Sequence, residues 1–186
     1  MSGVNRDSVL LAIREKVKNE NLIRHMLATE AIMRALARRF GEDEGEWGLA
    51  GLLHDIDVEL VGGDMKEHSR LGSRLALELG ASEAIGQAIL THNEAHGVSP
   101  SSNLDKALFC ADPVTGLITA AALVRPEKKL QYVEARSVRK RFKEKSFAAG
   151  ANREHIARCS ELGLSLDEFI AIGLEAMKGI APQLGL

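Results

Sequence analysis

Leu49-Ala50-Gly51-Leu52-Leu53-His54-Asp55-Ile56-Asp57 is the stretch that decides how this chain is read. An apolar run leads straight into an imidazole and a carboxylate on consecutive residues, so both polar groups leave the core at one point. A neutral imidazole nitrogen and an ionised carboxylate are first-choice ligands for a divalent transition metal, and adjacent residues can aim both at one centre. A His-Asp pair by itself is common on protein surfaces. The weight therefore falls on what surrounds it.

Immediately upstream, the acidic turn Glu42 to Glu46 suits a helix N-terminus, where negative charge offsets the positive end of the dipole. The helix it opens runs to His54 and carries Gly48 and Gly51, a costly choice unless a neighbouring backbone must pass close. Before it, Asn19 or Asn21 opens a long helix to Phe40, ended by Gly41, with His25 at the edge of the stripe Leu22, Met26, Thr29, Met33, Leu36 and Phe40. Asp7 can cap a first helix through about Lys18.

Downstream, the polar loop 61–64 leads to His68 near the start of a helix through Leu71, Leu75 and Leu79 to Gly80. Ser82 caps the next helix, which delivers His92 at its C-terminal end. Ser102 or Asn103 then opens a segment with Leu104, Ala107, Leu108 and Cys110 facing inward. This segment is expected to end at Ala111-Asp112-Pro113, because Pro113 suits the first turn of a following helix and biases Asp112 away from helical geometry. Residues 115–124 are apolar all round and expected to be buried.

Further on, Arg136, Arg139, Lys140 and Lys143 share one helical stripe, anchored by Val138 and Phe142. A solvated face is the simple reading of such a stripe, and a phosphate-attracting wall is the alternative. Asn152 caps a helix holding Ile156 and Cys159, and Ser165 with Glu168 forms a capping box for a last helix from Leu166 to about Pro182. His96 and His155 receive no ligand role.

The 186 residues suit one domain with a full core. A net charge of −2 gives no global field to attract nucleic acid, so nucleic acid is not an expected partner. Cys110 and Cys159 are far apart without a CxxC, which reads as buried thiols of a cytoplasmic protein. No signal core opens the chain and no run is read as long enough to cross a bilayer, so no membrane role is expected. Aromatic residues make up 4%, β-branched clusters are short, and Ala, Leu, Glu, Lys and Arg recur at gaps of three and four. The expected fold is all-α.

His25, His54-Asp55, His68, His92 and Asp112 thus fall at the ends or inner edges of successive helices. In this order the sequence resembles the HD-domain superfamily of metal-dependent phosphohydrolases over about residues 21–124. The resemblance is carried by His25, by His54-Asp55 within Leu-Leu-His-Asp-Ile-Asp, and by Asp112 within Cys-Ala-Asp-Pro, matching the family's ligand quartet. His68, followed by Gly72, and His92 in Thr-His-Asn-Glu look like the two added histidines of the branch that holds two metals, in which the paired aspartate, here Asp55, bridges the ions. The resemblance implies an antiparallel helical bundle with the metals at its centre. The expected organisation is a single domain over 1–186, with an HD core at 21–124 and a C-terminal helical extension at 125–186.

The implied chemistry is hydrolysis of a small phosphate ester, with a nucleotide as the expected substrate, by metal-activated hydroxide. Four imidazoles favour Fe, Mn, Zn, Co or Ni over Mg, which prefers oxygen ligands. Two ions are expected. Besides Asp55, Glu59 and Lys106 are catalytic candidates, with Lys66 and Glu94 behind them, and Arg136, Arg139 and Lys143 are candidate phosphate contacts. Two other functions compete. Diiron oxygenases of the superfamily share the ligand set but carry a lysine three residues beyond the paired aspartate, where this chain has Val58. A non-catalytic metal- or nucleotide-binding regulatory module is the third reading. The oligomeric state is left open by the sequence.

Overall fold

The computed structural model describes residues 4–186, which form ten α-helices, three short 3-10 turns and, among the described residues, no strand. The all-α expectation holds. Two 21-residue helices form the frame: α2 (Glu20–Phe40) and α6 (Asn103–Leu123). Around them lie α1 (Arg6–Lys16), α3 (Glu44–Leu53), α4 (Arg70–Glu78) and α5 (Glu83–His92). The chain then adds α7 (Ala135–Phe142), α8 (Arg153–Ala157), α9 (Leu166–Gly179) and α10 (Ala181–Leu184). α2 packs against α3, α6 and α9, and α6 against α5, α7 and α8. Met26, Met33, Leu36, Leu52, Leu53, Leu108, Leu117 and Phe169 fill the shared core.

Local chemistry sets the helix ends. Asn19 opens α2 by accepting from the Asn21 and Leu22 amides, and Gly41 closes it in the left-handed region at φ 71°. The Asp43 side chain accepts from the Glu46 amide to start α3, and Ser82 does the same for Ile85 in α5. Each cap satisfies an amide that the helix leaves without a partner.

The structure corrects several expectations. Asn5, not Asp7, caps α1, accepting from the Ser8 amide. Pro113 lies inside α6 instead of opening a new helix. The missing N–H leaves the Phe109 carbonyl without its helical donor, a cost of about 3 kcal/mol. Burial of Ala111, Val114 and Thr115 on either side keeps the helix continuous. The end of α6 is not buried: Leu123 and Val124 are about half exposed. By length and composition alone α6 could cross a membrane, yet most of its residues lie inside the core, where their hydropathy serves packing. On α4 the buried face is Gly72 and Ala76, with Leu71, Leu75 and Leu79 half-buried. The reciprocal capping box belongs to Ser102 and Asp105, whereas Glu168 pairs with Arg39 at 3.1 Å. The last helix breaks at Ile180, ahead of Pro182.

Gly48 and Gly51 of α3 have the role their cost implied. A Cβ on Gly51 would lie 2.9 Å from backbone atoms of Thr29 and Glu30, and one on Gly48 would meet the Arg34 side chain at 2.7 Å. Only at Gly51 is the obstacle rigid backbone. Gly51→Ala should therefore destabilise the fold by about 1–3 kcal/mol, read as a lowered midpoint in chemical denaturation.

Candidate metal centre

Five helices and their ends bring six residues to one point. His25 sits on the second turn of α2, His54 and Asp55 follow α3, His68 precedes α4, His92 ends α5, and Asp112 lies midway along α6. The ligand atoms form three overlapping triads, His25-His54-Asp55, His54-His92-Asp112 and Asp55-His68-His92, each with its atoms within 4.8 Å of one another.

The orientation of each imidazole is fixed from behind. Nδ1 of His54 donates to the Gly51 carbonyl at 2.7 Å, and Nδ1 of His92 to the Ile89 carbonyl at 2.6 Å. Nδ1 of His25 lies 2.9 Å from Thr115 Oγ1, whose own proton goes to the Asp112 carbonyl at 2.7 Å, so the threonine accepts from the imidazole. Nδ1 of His68 donates to Asp57 Oδ1 at 2.9 Å. With every Nδ1 protonated towards its partner, each neutral ring presents the Nε2 lone pair inward. Histidines that ligate metals are oriented in the same way, by a hydrogen bond from the ring nitrogen that faces away from the metal.

The two oxygens of Asp55 divide these nitrogens. Oδ2 faces His25 Nε2 at 3.5 Å and His54 Nε2 at 3.4 Å, whereas Oδ1 faces His68 Nε2 at 3.6 Å and His92 Nε2 at 3.5 Å. Asp112 Oδ1 joins the first pair, 3.1 Å from His25 Nε2 and 3.8 Å from His54 Nε2. His25 and His54 bring their Nε2 atoms to 3.0 Å. Two inward lone pairs at that separation need a cation or a proton between them. A donor set of imidazole nitrogens and carboxylate oxygens fits a divalent transition metal.

Without metal, protons take that place. Burial disfavours a charged His25, but its hydrogen bonds to Asp112 and Asp55 prevail and raise its pKa to about 9. Burial likewise opposes charge on His54, and the adjacent Asp55 charge pushes its pKa well above the ordinary value. Burial would raise the carboxyl of Asp55, yet the charge of His54 and the bonds from His25, His54 and His92 hold it well below the usual carboxylate range. Asp112 is also lowered, against its burial, by hydrogen bonds from His25 and His54.

Two residues that the sequence pattern does not single out support this arrangement, Asp57 and Thr115. Asp57 is fully buried and accepts from the Ser69 amide at 2.7 Å and the Gly72 amide at 2.8 Å besides His68. Ser69 adopts φ 70°, an uncommon conformation for a residue with a side chain. A Cβ on Gly72 would lie 3.1 Å from the Asp57 carboxylate carbon. The only hint of Asp57 in the sequence is its place two residues beyond Asp55.

The cavity above the cluster has a volume of about 340 Å³. Asp55, His68, His92 and Asp112 form its floor, Val58, Val61 and Met65 one wall, and Gly150, Asn152 and His155 another, with Glu94 also lining it. His25 faces a separate cleft of about 330 Å³ beside Arg24. A larger groove of about 510 Å³ lies over α4, near Arg70, Arg74 and His96, but it contains none of the six residues and has no comparable donor set.

The remaining candidates lie elsewhere. Glu59 accepts from the backbone amides of Lys18 and Asn19 at 2.9 and 2.7 Å, tying the loop after the His-Asp pair to the start of α2. Lys106, Lys66, Arg136, Arg139 and Lys143 are absent from the cavity lining. Arg136 pairs with Glu134, and Arg139 with Asp167 at 3.0 Å. The basic stripe thus faces other charges on the surface, and α7 ends at Phe142, before Lys143.

The HD domain family profile matches residues 22–117, which include all six clustered residues. The chain belongs to the HD domain family. It is similar to Ribonuclease Y of Oleidesulfovibrio alaskensis, at 31% identity over 139 residues, 73% of this chain and 26% of that protein. It is also similar to Ribonuclease Y of Lawsonia intracellularis, at 30% identity over 142 residues, 73% of this chain and 26% of that protein. For Ribonuclease Y of Geobacter sulfurreducens the identity is 27% over 192 residues, 98% of this chain and 36% of that protein. The chain spans about a quarter to a third of the length of these relatives. No solved structure matches significantly.

The protonated cluster gives a signed pH dependence. A raised His25 pKa contributes stability that is complete below its unfolded value near 6.5 and is lost as pH rises through about 9. The lowered aspartates contribute stability present above their unfolded value of 3.8 and lost as pH falls through their depressed folded pKa values. The melting temperature of chelator-treated protein should therefore fall as pH is raised from 6.5 through 9, while that of metal-loaded protein should not. Differential scanning fluorimetry across that window is the check, and a rising metal-free midpoint would contradict the assignment.

Proposed function

We propose that this chain is a metal-dependent phosphohydrolase that holds two divalent ions and cleaves a phosphate ester, with a nucleotide as the favoured substrate. One observation carries the reading: the Asp55 carboxylate turns one oxygen to the Nε2 atoms of His25 and His54 and the other to those of His68 and His92. One ion would be held by His25, His54, Asp55 and Asp112, and a second by Asp55, His68 and His92. The imidazole-rich set favours Fe, Mn, Zn, Co or Ni over Mg. A divalent ion bound there would lower the pKa of a coordinated water from about 15.7 towards about 7, making hydroxide available at neutral pH.

The chain's own residues do the rest. Asp57 and Thr115 hold the imidazoles of His68 and His25 in the tautomer that leaves Nε2 unprotonated, and Val58, Val61 and Met65 supply an apolar wall. A cavity of about 340 Å³ lies at the small end of the range for small-molecule sites, which supports a substrate of nucleotide size.

A second reading, cleavage of an RNA phosphodiester, is favoured by the name of the relatives, Ribonuclease Y. It uses the same metal residues. The oxygenase reading is disfavoured because Val58 lines the cavity where the oxygenases carry a lysine. A regulatory module without turnover has no use for this much ligand orientation.

Elemental analysis should find two transition-metal ions per chain, and phosphate release should be measured across nucleotides and a chromogenic ester, with short RNA as the competing substrate. Asp55→Ala should lose both metals and all turnover while keeping its helical circular dichroism. Asp57→Asn should weaken metal binding by about 10–100-fold, the usual effect of losing such a partner. A metal-replete protein with no turnover of any of these compounds would refute the hydrolase reading.

A further inference from the structure

Beyond the metal-facing residues and His155, the cavity lining holds one ionisable side chain, and it is a carboxylate. Glu94 lines the cavity, and among the described residues no lysine or arginine does. Its carboxylate is 71% exposed, at the mouth, and lies 3.0 Å from His155 Nε2. The His155 side chain is 17% exposed and its ring packs on Phe109, with centroids 4.1 Å apart, which fixes the imidazole that holds Glu94. Asn93, beside it, already donates its side-chain amide to the Met65 and His68 carbonyls. The mouth therefore offers a fixed carboxylate where a bound polyphosphate would need lysine or arginine.

We infer that Glu94, positioned by His155, selects esters carrying one phosphoryl group joined to an uncharged organic part, and rejects nucleoside di- and triphosphates. This deepens, and rests on, the phosphohydrolase reading of the same cavity. A single phosphoryl group lies over the floor, where the metal residues converge. Each further phosphate extends towards the mouth and meets Glu94 with no lysine or arginine beside it. Like charges about 6 Å apart at a partly exposed site weaken binding by about tenfold. Glu94 lies within the matched residues 22–117, whereas His155, which positions it, comes from the C-terminal part of the chain outside them.

The test uses AMP, ADP and ATP as probes. Each is titrated calorimetrically into metal-loaded protein freed of excess metal, with retained metal verified afterwards, and phosphate release is followed separately. AMP should bind at least about tenfold more tightly than ATP, with ADP between them, and Glu94→Lys should shrink the AMP-to-ATP ratio at least about fivefold, with Glu94→Gln intermediate. Equal or tighter binding of ATP, an unchanged ratio in both variants, or no binding of AMP each overturns the proposal. The expected order without turnover of any probe upholds the role of Glu94 and removes the hydrolase reading for these compounds. Turnover without discrimination does the reverse.

Discussion

Two carboxylates drawn largely out of water, Asp55 and, more partially, Asp112, impose the condition that the rest of the molecule meets. A buried carboxylate costs several kcal/mol unless positive charge or donors compensate it. Here the compensation comes from imidazoles carried on four separate elements, so no single helix can make the site. Asp57 shows the other solution to the same problem. It lies two residues beyond Asp55 and is more deeply buried, but its oxygens are met by the His68 imidazole and by amides at the start of α4, where the helix dipole favours negative charge. Asp57 is thereby committed to orientation, while Asp55 keeps both oxygens turned towards Nε2 atoms.

Meeting that condition requires α2 and α3 to approach more closely than side chains ordinarily allow. Gly51 makes the approach possible, because its missing Cβ is where the Thr29 and Glu30 backbone runs. The Gly51 carbonyl also accepts from His54, so one residue sets both the distance between the helices and the direction of a ring. At the same contact, the buried Glu30 carboxylate takes two bonds from Arg6 and one from Arg34, fastening α1 to the same turn. The close approach and the ion pairs are thus parts of one joint, and His25 lies little more than one turn away along α2.

Much of this was legible in the residues. Histidines and aspartates at the ends of apolar helical runs interrupt a regular pattern, and His25, His54, Asp55, His68, His92 and Asp112 do converge. Asp57 and Thr115 gave no such signal, since their roles depend on which imidazoles and amides arrive from elsewhere in the chain. Pro113 misled for the opposite reason. Its local preference is strong, but burial on both sides of it outweighed one lost hydrogen bond. The basic stripe of α7 could be placed on a helix face, yet no periodicity says which way that face turns once the helix packs against α6 and α9. In the wall made by Gly150, Asn152 and His155, the Asn152 cap and the helix after it were legible, but their place at the cavity depends on the loop before them, which carries no pattern.

That loop has its own physical explanation. Residues 143–151 form turns without regular hydrogen bonding, which leaves several carbonyls in need of donors. The Arg153 guanidinium supplies them, donating to the carbonyls of Phe147, of Ala148 at 2.7 Å and of Ala151 at 2.6 Å, with longer contacts to Phe142 and Glu144. Its pKa is lowered by partial burial, but a planar fork of donors suits several carbonyls arriving from different directions. Holding the loop this way places Gly150 and Asn152 against the cavity and starts α8 so that His155 reaches Glu94. The floor of the cavity, with its imidazoles and carboxylates, and this wall are therefore held by separate sets of interactions. Substitutions in the wall can reshape the cavity without disturbing the groups beneath it, because the bonds that hold the loop and those that orient the imidazoles share no residue.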